Sequence, residues 1–173
     1  MSLRLLVSNA FSPRYLLFTN TTICCTLFGV ADVVEQKVNN NHVDWVRAVR
    51  VGSIGFVLGP MNHFWYKFLE RKIAGPVTVK LVAKKILADI SVSPIFANVF
   101  ISGVAFLEGA SVKESLAEYR RKFFRVLALD CCVWPPTQSI NFGLVPARFR
   151  VLYVSIVQLN YNIFLTYIKH NEL

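Results

Sequence analysis

Five stretches of this chain, residues 15–31, 51–66, 90–107, 131–147 and 151–168, contain no Asp, Glu, Lys or Arg. A helix crosses a bilayer with roughly 20 apolar residues and a lower limit near 17. Each stretch therefore needs flanking residues to complete a span, and the fourth reaches back to Val126 if Asp130 is tolerated. The composition agrees: 54% of the 173 residues are hydrophobic and 17% are charged, against roughly 25% charged in soluble domains. The fold class expected is all-α, a polytopic helical membrane bundle of four to five spans. The count stays open because the 131–147 stretch holds prolines and several polar residues. A soluble bundle of buried helices is the alternative, and extraction with alkaline carbonate separates the two. A chain of this length is one domain, 1–173, with its chemistry confined to helices and short loops.

The net charge of +9 is unevenly placed. Between Lys67 and Asp89 stand Lys67, Arg71, Lys72, Lys80, Lys84 and Lys85 against Glu70 and Asp89, and Arg120, Arg121, Lys122 and Arg125 form a second cluster. Such clusters beside spans contact anionic head groups or phosphate, or serve only as solvated faces that set orientation. Lys and Arg counted on alternate sides of five spans divide ten to nine, which leaves orientation open. Two adjacent cysteine pairs, Cys24-Cys25 and Cys131-Cys132, lie inside apolar stretches. Without a Cys-x-x-Cys or a nearby His they read as small buried hydrophobes, and neither a metal nor a cofactor is expected. The N-terminus combines Arg4, Arg14, Ser2, Ser8 and Ser12, no acid, and Leu3, Leu6, Val7, Ala10 and Phe11 at helical spacing. Residues 1–14 thus look like a mitochondrial targeting segment, or an interfacial helix that carries no address.

Two parts of the chain echo each other at an offset of 74 or 75. Gly29-Val30-Ala31 returns as Gly103-Val104-Ala105, each followed by an acid, Asp32 or Glu108. Arg47 and Arg50 match Arg121 and Arg125, and Pro60 and His63 match Pro135 and Gln138. Two related helical units, about 15–75 and 90–150, are expected side by side, with any site where they meet. Gly52, Gly55 and Gly59 put small residues on one face for close helix approach. Pro60, Pro135 and Pro136 are expected to kink their spans. Ser111 and Glu114 form a capping-box signature, opening an amphipathic interfacial helix lined by Leu116, Tyr119, Phe123, Val126 and Leu127, with Glu118 facing Lys122. Residues 78–89 are its counterpart.

Polar groups inside apolar spans are the functional candidates. His63, Tyr66 and Glu70 share a helix face, Asp32 and Gln36 fall at i, i+4 on the first span, and Asp89, Gln138 and Asn141 complete a candidate buried network or pore lining. Interhelical hydrogen bonding is the structural reading of the same residues. No side chains stand in nucleophile, base and orienting-group spacing, and there is no glycine-rich phosphate loop, so an enzyme is not expected.

These residues also spell a pattern. Asp32-Val33-Val34-Glu35-Gln36, Gly59-Pro60-Met61-Asn62-His63-Phe64-Trp65-Tyr66, Leu69-Glu70-Arg71, Trp134-Pro135, Gln138, Asn141-Phe142, Val145-Pro146, Arg148 and Arg150 resemble the Mpv-seventeen and peroxisomal membrane protein family. Arg121-Lys122-Phe123-Phe124, Asp130-Cys131-Cys132-Val133-Trp134-Pro135 and Tyr167-Ile168-Lys169 resemble its like-two branch. The resemblance implies a small multi-pass protein of the mitochondrial inner membrane, or of the peroxisomal membrane. From the branch it implies a role in mitochondrial ribosome assembly and translation, the partners being the bilayer and the ribosome's large subunit or its assembly intermediates. Lys80, Lys84, Lys85, Arg120, Arg121, Lys122 and Arg125 are the candidate basic contact surface. From the wider family it implies a nonselective channel, and a channel here would have a water-filled path between the two related units lined by Asp32, His63, Gln138 and Asn141. A homo-oligomer is compatible with both.

Overall fold

The computed structural model describes residues 9–40 and 42–170, without the side chains of 39, 40 and 162–170. Most of the N-terminal segment, including Ser2, Leu3, Arg4, Leu6, Val7 and Ser8, lies outside the described residues, as do the side chains of Tyr167, Ile168 and Lys169. The described chain is helical, and no strand occurs among the described residues: α1 Leu16–Asn40, α2 Trp45–Ser53, α3 Gly55–Lys72, α4 Val79–Leu107, α5 Val112–Gly143, a 3₁₀ turn Ala147–Phe149, and α6 Arg150–His170.

Local chemistry sets the boundaries. The Asp44 carboxylate accepts from the amides of Val46 and Arg47 and starts α2; Thr78 Oγ1 accepts from the Leu81 amide and starts α4. Gly109, at φ 101°, ends α4 in the left-handed conformation that a residue with a Cβ avoids. The capping box at Ser111 and Glu114 is formed in both directions. Outside the membrane helices, Ser111 holds the Glu114 carboxyl below the usual carboxylate range, by its hydroxyl first and its amide second.

α2 and α3 follow each other in one direction and both run back along α1. Gly55 approaches Cys25 and Gly59 approaches Thr21, so α3 runs antiparallel to α1; a Cβ on Gly55 would lie 2.4 Å from the Cys25 nitrogen. The small face expected from the glycine spacing is thus a backbone-to-backbone contact. Glu70 meets both Lys85 and Arg150, which brings the C-terminus of α3 and the N-termini of α4 and α6 to one end of the bundle. Phe28, Leu58, Leu69, Ile101, Val104, Val126 and Phe142 fill the middle. Phe18, Phe56, Phe64, Leu87 and Phe124 point outward, while Asn20, Asp32, Gln138 and Asn141 are wholly or almost wholly buried. Apolar outside and polar inside is the arrangement suited to lipid as solvent.

By length and composition, Leu16–Val38 and Val79–Leu107 can each cross a membrane. In α3 and α5 buried polar side chains and exposed cations, among them Lys67, Arg71 and Lys72 of α3, together lower the average hydropathy.

Several expectations are corrected. The helix that begins at Ser111 is not separate from the fourth apolar stretch: α5 runs unbroken through Asp130 and both Pro135 and Pro136, as α3 does through Pro60. A proline costs one backbone bond and leaves the helix intact when neighbours pack around it. Leu116 is exposed rather than on the inner side. Cys24 is buried but Cys131 and Cys132 are exposed, because Asp130 and Trp134 take the inward face of α5 and rotate the residues between them outward.

Candidate functional site

The inward stripe of α5 is polar. Asp130, Trp134, Gln138 and Asn141, spaced i, i+4, i+8 and i+11, are all buried and so share one helix face. Two residues of α3, Trp65 and Tyr66, and one of α4, Asp89, meet this stripe. Gln138 Nε2 donates to Asp89 Oδ2 and to the Tyr66 hydroxyl, each at 2.7 Å; its Oε1 accepts from Asn141 Nδ2 at 2.7 Å. Trp65 Nε1 donates to Asp89 Oδ1 at 2.8 Å. Next to this group Asp130 Oδ1 accepts from Trp134 Nε1 at 3.1 Å and from the Tyr161 hydroxyl of α6. The Tyr161 ring packs on Trp134 with centroids 5.2 Å apart.

Asp89 and Asp130 both line a cavity of about 50 Å³, whose wall combines polar Asn62, Ser93 and Gln158 with apolar Leu58, Phe96 and Phe100. That space holds a few waters and no larger solute. The indole, amide and phenol donors satisfy the carboxylates in a region where an unpaired one is costly. Polar groups worth least in water are here the groups that hold α3, α4, α5 and α6 in register.

At the end of the bundle where α3, α4 and α6 meet, a second group forms. Glu70 accepts from both Lys85 and Arg150, and these two cations flank the ring of Phe142 at 5.5 and 5.4 Å from its centroid. Beside it lies a groove of about 560 Å³, bounded by the start of α1, the C-terminal turns of α3 and the turn before α6. Tyr66 lines both this groove and the inner cavity. His63, on the groove side, accepts at Nδ1 from Asn20 Nδ2 of α1 at 3.1 Å.

The structure therefore distributes the expected network over three places. Tyr66, Asp89, Gln138 and Asn141 come together; Glu70 and His63 line the groove. Asp32 and Gln36 sit elsewhere, at the junction of α1 and α2, because Arg47 reaches back to Asp32 at 2.9 Å and also to Glu35. Gln36 bonds to Asp32 and to the backbone of Asp44. Asp130, Trp134, Arg150 and Tyr161 are additions. The i, i+4 spacing of Asp130 and Trp134 was the signal that marked two of them.

The basic contact surface also changes. Lys80, Lys84, Arg120, Arg121 and Arg125 are exposed. Lys85 is buried on Glu70, and Lys122 pairs with Glu118 at 3.2 Å. Nor do the two clusters form one patch. Tyr119, beside Arg120, bonds to the Pro94 carbonyl, ten residues along α4 from Lys84, which is about 15 Å of helix. Nine cations collect at the groove end: Arg14, Lys67, Arg71, Lys72, Lys80, Lys84, Lys85, Arg148 and Arg150, with Glu70 as their acidic neighbour. Opposite Lys and Arg residues are interspersed with Asp44, Glu108, Glu114 and Glu118. An even division of cations thus conceals an uneven division of net charge.

The placement of these residues matches known sequences. A profile of the Mpv17 / PMP22 family matches residues 105–166, the end of α4 through most of α6. The Neurospora crassa protein sym-1 is 32% identical over 161 residues, 88% of this chain and 91% of that protein. The chain belongs to the Mpv17 / PMP22 family. Other members it resembles are the mitochondrial inner membrane protein Mpv17 of Danio rerio, 30% identical over 86% of both chains, and bovine peroxisomal membrane protein 2, 30% identical over 75% of this chain and 69% of that one. No solved structure matches. As an Mpv17 / PMP22 family member the chain is a membrane protein of the mitochondrial inner membrane, with the peroxisomal membrane as the alternative that the bovine relative carries in its name.

Proposed function

We propose that this protein is a non-enzymatic, multi-pass component of the mitochondrial inner membrane that supports mitochondrial ribosome assembly and translation through an exposed basic surface. Five crossing segments are taken: α1, α3, α4, the second half of α5, and α6. α1 with α2 and α3 forms one unit, and α4 with α5 the related second unit. The observation that carries the proposal is the collection of cations at one end of the bundle, with Glu70 among them paired to Lys85 and Arg150. A surface of this kind meets RNA phosphate through salt-sensitive contacts, each adding about 0.7 to 0.9 to the slope of log affinity against log salt. The like-two motifs around Arg121 and Asp130 support the same assignment. Because the clusters are separated, one of them faces the ribosome. Lys80→Gln with Lys84→Gln, and separately Arg120→Gln with Arg121→Gln and Arg125→Gln, identify it by co-sedimentation with large-subunit particles. Loss with one pair or triplet and not the other is the expected result, and full association with both neutralised rejects the mechanism.

The second reading, a channel, is favoured by one arrangement: Tyr66 lines both the groove and the inner cavity and is held by Gln138. Movement of Tyr66 would join them. Purified protein in planar bilayers would then conduct, more so as Tyr66→Ala, and silence from both removes this reading.

A further inference from the structure

The groove at the cationic end has the features of a phospholipid site. Lys67, Arg71 and Arg148 line it, are exposed, and take part in no ion pair among the described residues. Glu70, the carboxylate in the groove, is already occupied by Lys85 and Arg150. Three cations without an acid thus surround a cavity of about 560 Å³. Arg148 is held over the Phe149 ring at 4.6 Å, and Phe149 packs edge-on to Phe11 at 5.3 Å, so this wall is braced. Phe11, Leu16 and Val151 give the groove an apolar wall, beside the polar Asn20, His63 and Tyr66.

A free phosphate ion needs the cations and has no use for that apolar wall. An anionic phospholipid needs both: a phosphate among the basic side chains at the membrane surface, and glycerol and first acyl carbons against Phe11, Leu16 and Val151. We propose that this groove binds one anionic phospholipid, with its phosphate on Lys67, Arg71 and Arg148. The inference can fail separately from the ribosome reading, because the variants that test that reading change Lys80, Lys84, Arg120, Arg121 and Arg125, none of which lines the groove. Bound there, the lipid bridges α1, α3 and α6 and anchors the cationic end at the interface.

The test is native mass spectrometry of the full-length protein in detergent, mixed with equal amounts of phosphatidylglycerol and phosphatidylcholine. Phosphatidylglycerol should be retained by roughly 100-fold in preference, three contacts at about fivefold each at a membrane surface. The variant combining Lys67→Gln, Arg71→Gln and Arg148→Gln should lose most of that preference. Arg120→Gln with Arg121→Gln and Arg125→Gln, which makes the same change of charge elsewhere, should keep it. Leu16→Trp leaves the charge alone and fills the apolar side, and it too should release the lipid. Equal retention of the two lipids, equal loss in the remote triple variant, or full retention by Leu16→Trp overturns the assignment. Displacement of the lipid by inorganic phosphate at matched concentration overturns it as well, since the site would then be one for phosphate alone.

Discussion

Replacing Gln138 by Leu removes the residue that joins three helices while nearly conserving side-chain volume, so no cavity contribution enters. Three hydrogen bonds of 2.7 Å disappear, to Asp89, Tyr66 and Asn141. Interhelical bonds in membrane proteins average about 0.6 kcal/mol, which gives about 1.2 kcal/mol for the two that cross between helices, to Asp89 and Tyr66. Asp89 would keep the Trp65 indole, but the Asn141 amide would lose its acceptor, and an unpaired buried polar group costs about 1 to 3 kcal/mol. The expected destabilisation is therefore about 2 to 4 kcal/mol. Equilibrium unfolding in mixed micelles, titrated with sodium dodecyl sulfate, measures it. Ser139→Ala is the comparison: Ser139 is exposed and bonds within its own helix to the Pro135 carbonyl, so it should shift stability by less than about 0.5 kcal/mol. Should Gln138→Leu change stability no more than Ser139→Ala, the polar stripe of α5 is not what holds α3, α4 and α5 in register.

Gly55→Leu places side-chain atoms where the Cys25 backbone stands, 2.4 Å from the first of them, and should abolish the folded protein as judged by its loss from a size-exclusion peak. N-ethylmaleimide should leave Cys24 unmodified in the native state and modify it on unfolding, because its thiol is buried; labelling of native Cys24 at the unfolded rate contradicts the α1 packing. Ser111→Ala should raise amide hydrogen exchange in the first turn of α5. Since the Glu114 carboxyl is held low in the folded state, its stabilising contribution is complete above the ordinary carboxylate range and is lost as pH falls through the lowered value. Exchange in that turn should therefore gain an excess, beyond its intrinsic pH dependence, on acidification in wild type and not in Glu114→Gln.

The apolar stretches and the capping box were legible because they depend on neighbours in sequence: runs of uncharged residues, and Ser111 three positions before Glu114. The contact of α1 with α3 was legible from Gly52, Gly55 and Gly59, which fix where backbones can approach. The partners were not. Asp89 meets Trp65 and Gln138 across 24 and 49 residues, and nothing local marks either distance. Lys85 read as part of a solvated basic run because its neighbours Lys80 and Lys84 are; the step of one residue from Lys84, about 100° around the helix, sets it inward on Glu70. Cys131 and Cys132 read as buried because their stretch is apolar, but in lipid an apolar stretch has no preferred side until a polar stripe defines one. Here Asp130, Trp134, Gln138 and Asn141 define it, and that stripe carries more of the fold's specificity than the hydrophobic residues around it.

The central claim is that a basic face of this membrane bundle serves the mitochondrial ribosome, and pulse-labelling of mitochondrially encoded proteins tests it most directly. Cells lacking the protein should show reduced labelling of all mitochondrial translation products. Wild type should restore it, and a variant neutralised at Lys80, Lys84, Arg120, Arg121 and Arg125 should fail to, although it reaches the inner membrane in equal amount. Normal labelling in cells without the protein, or full restoration by the neutralised variant, would contradict the account.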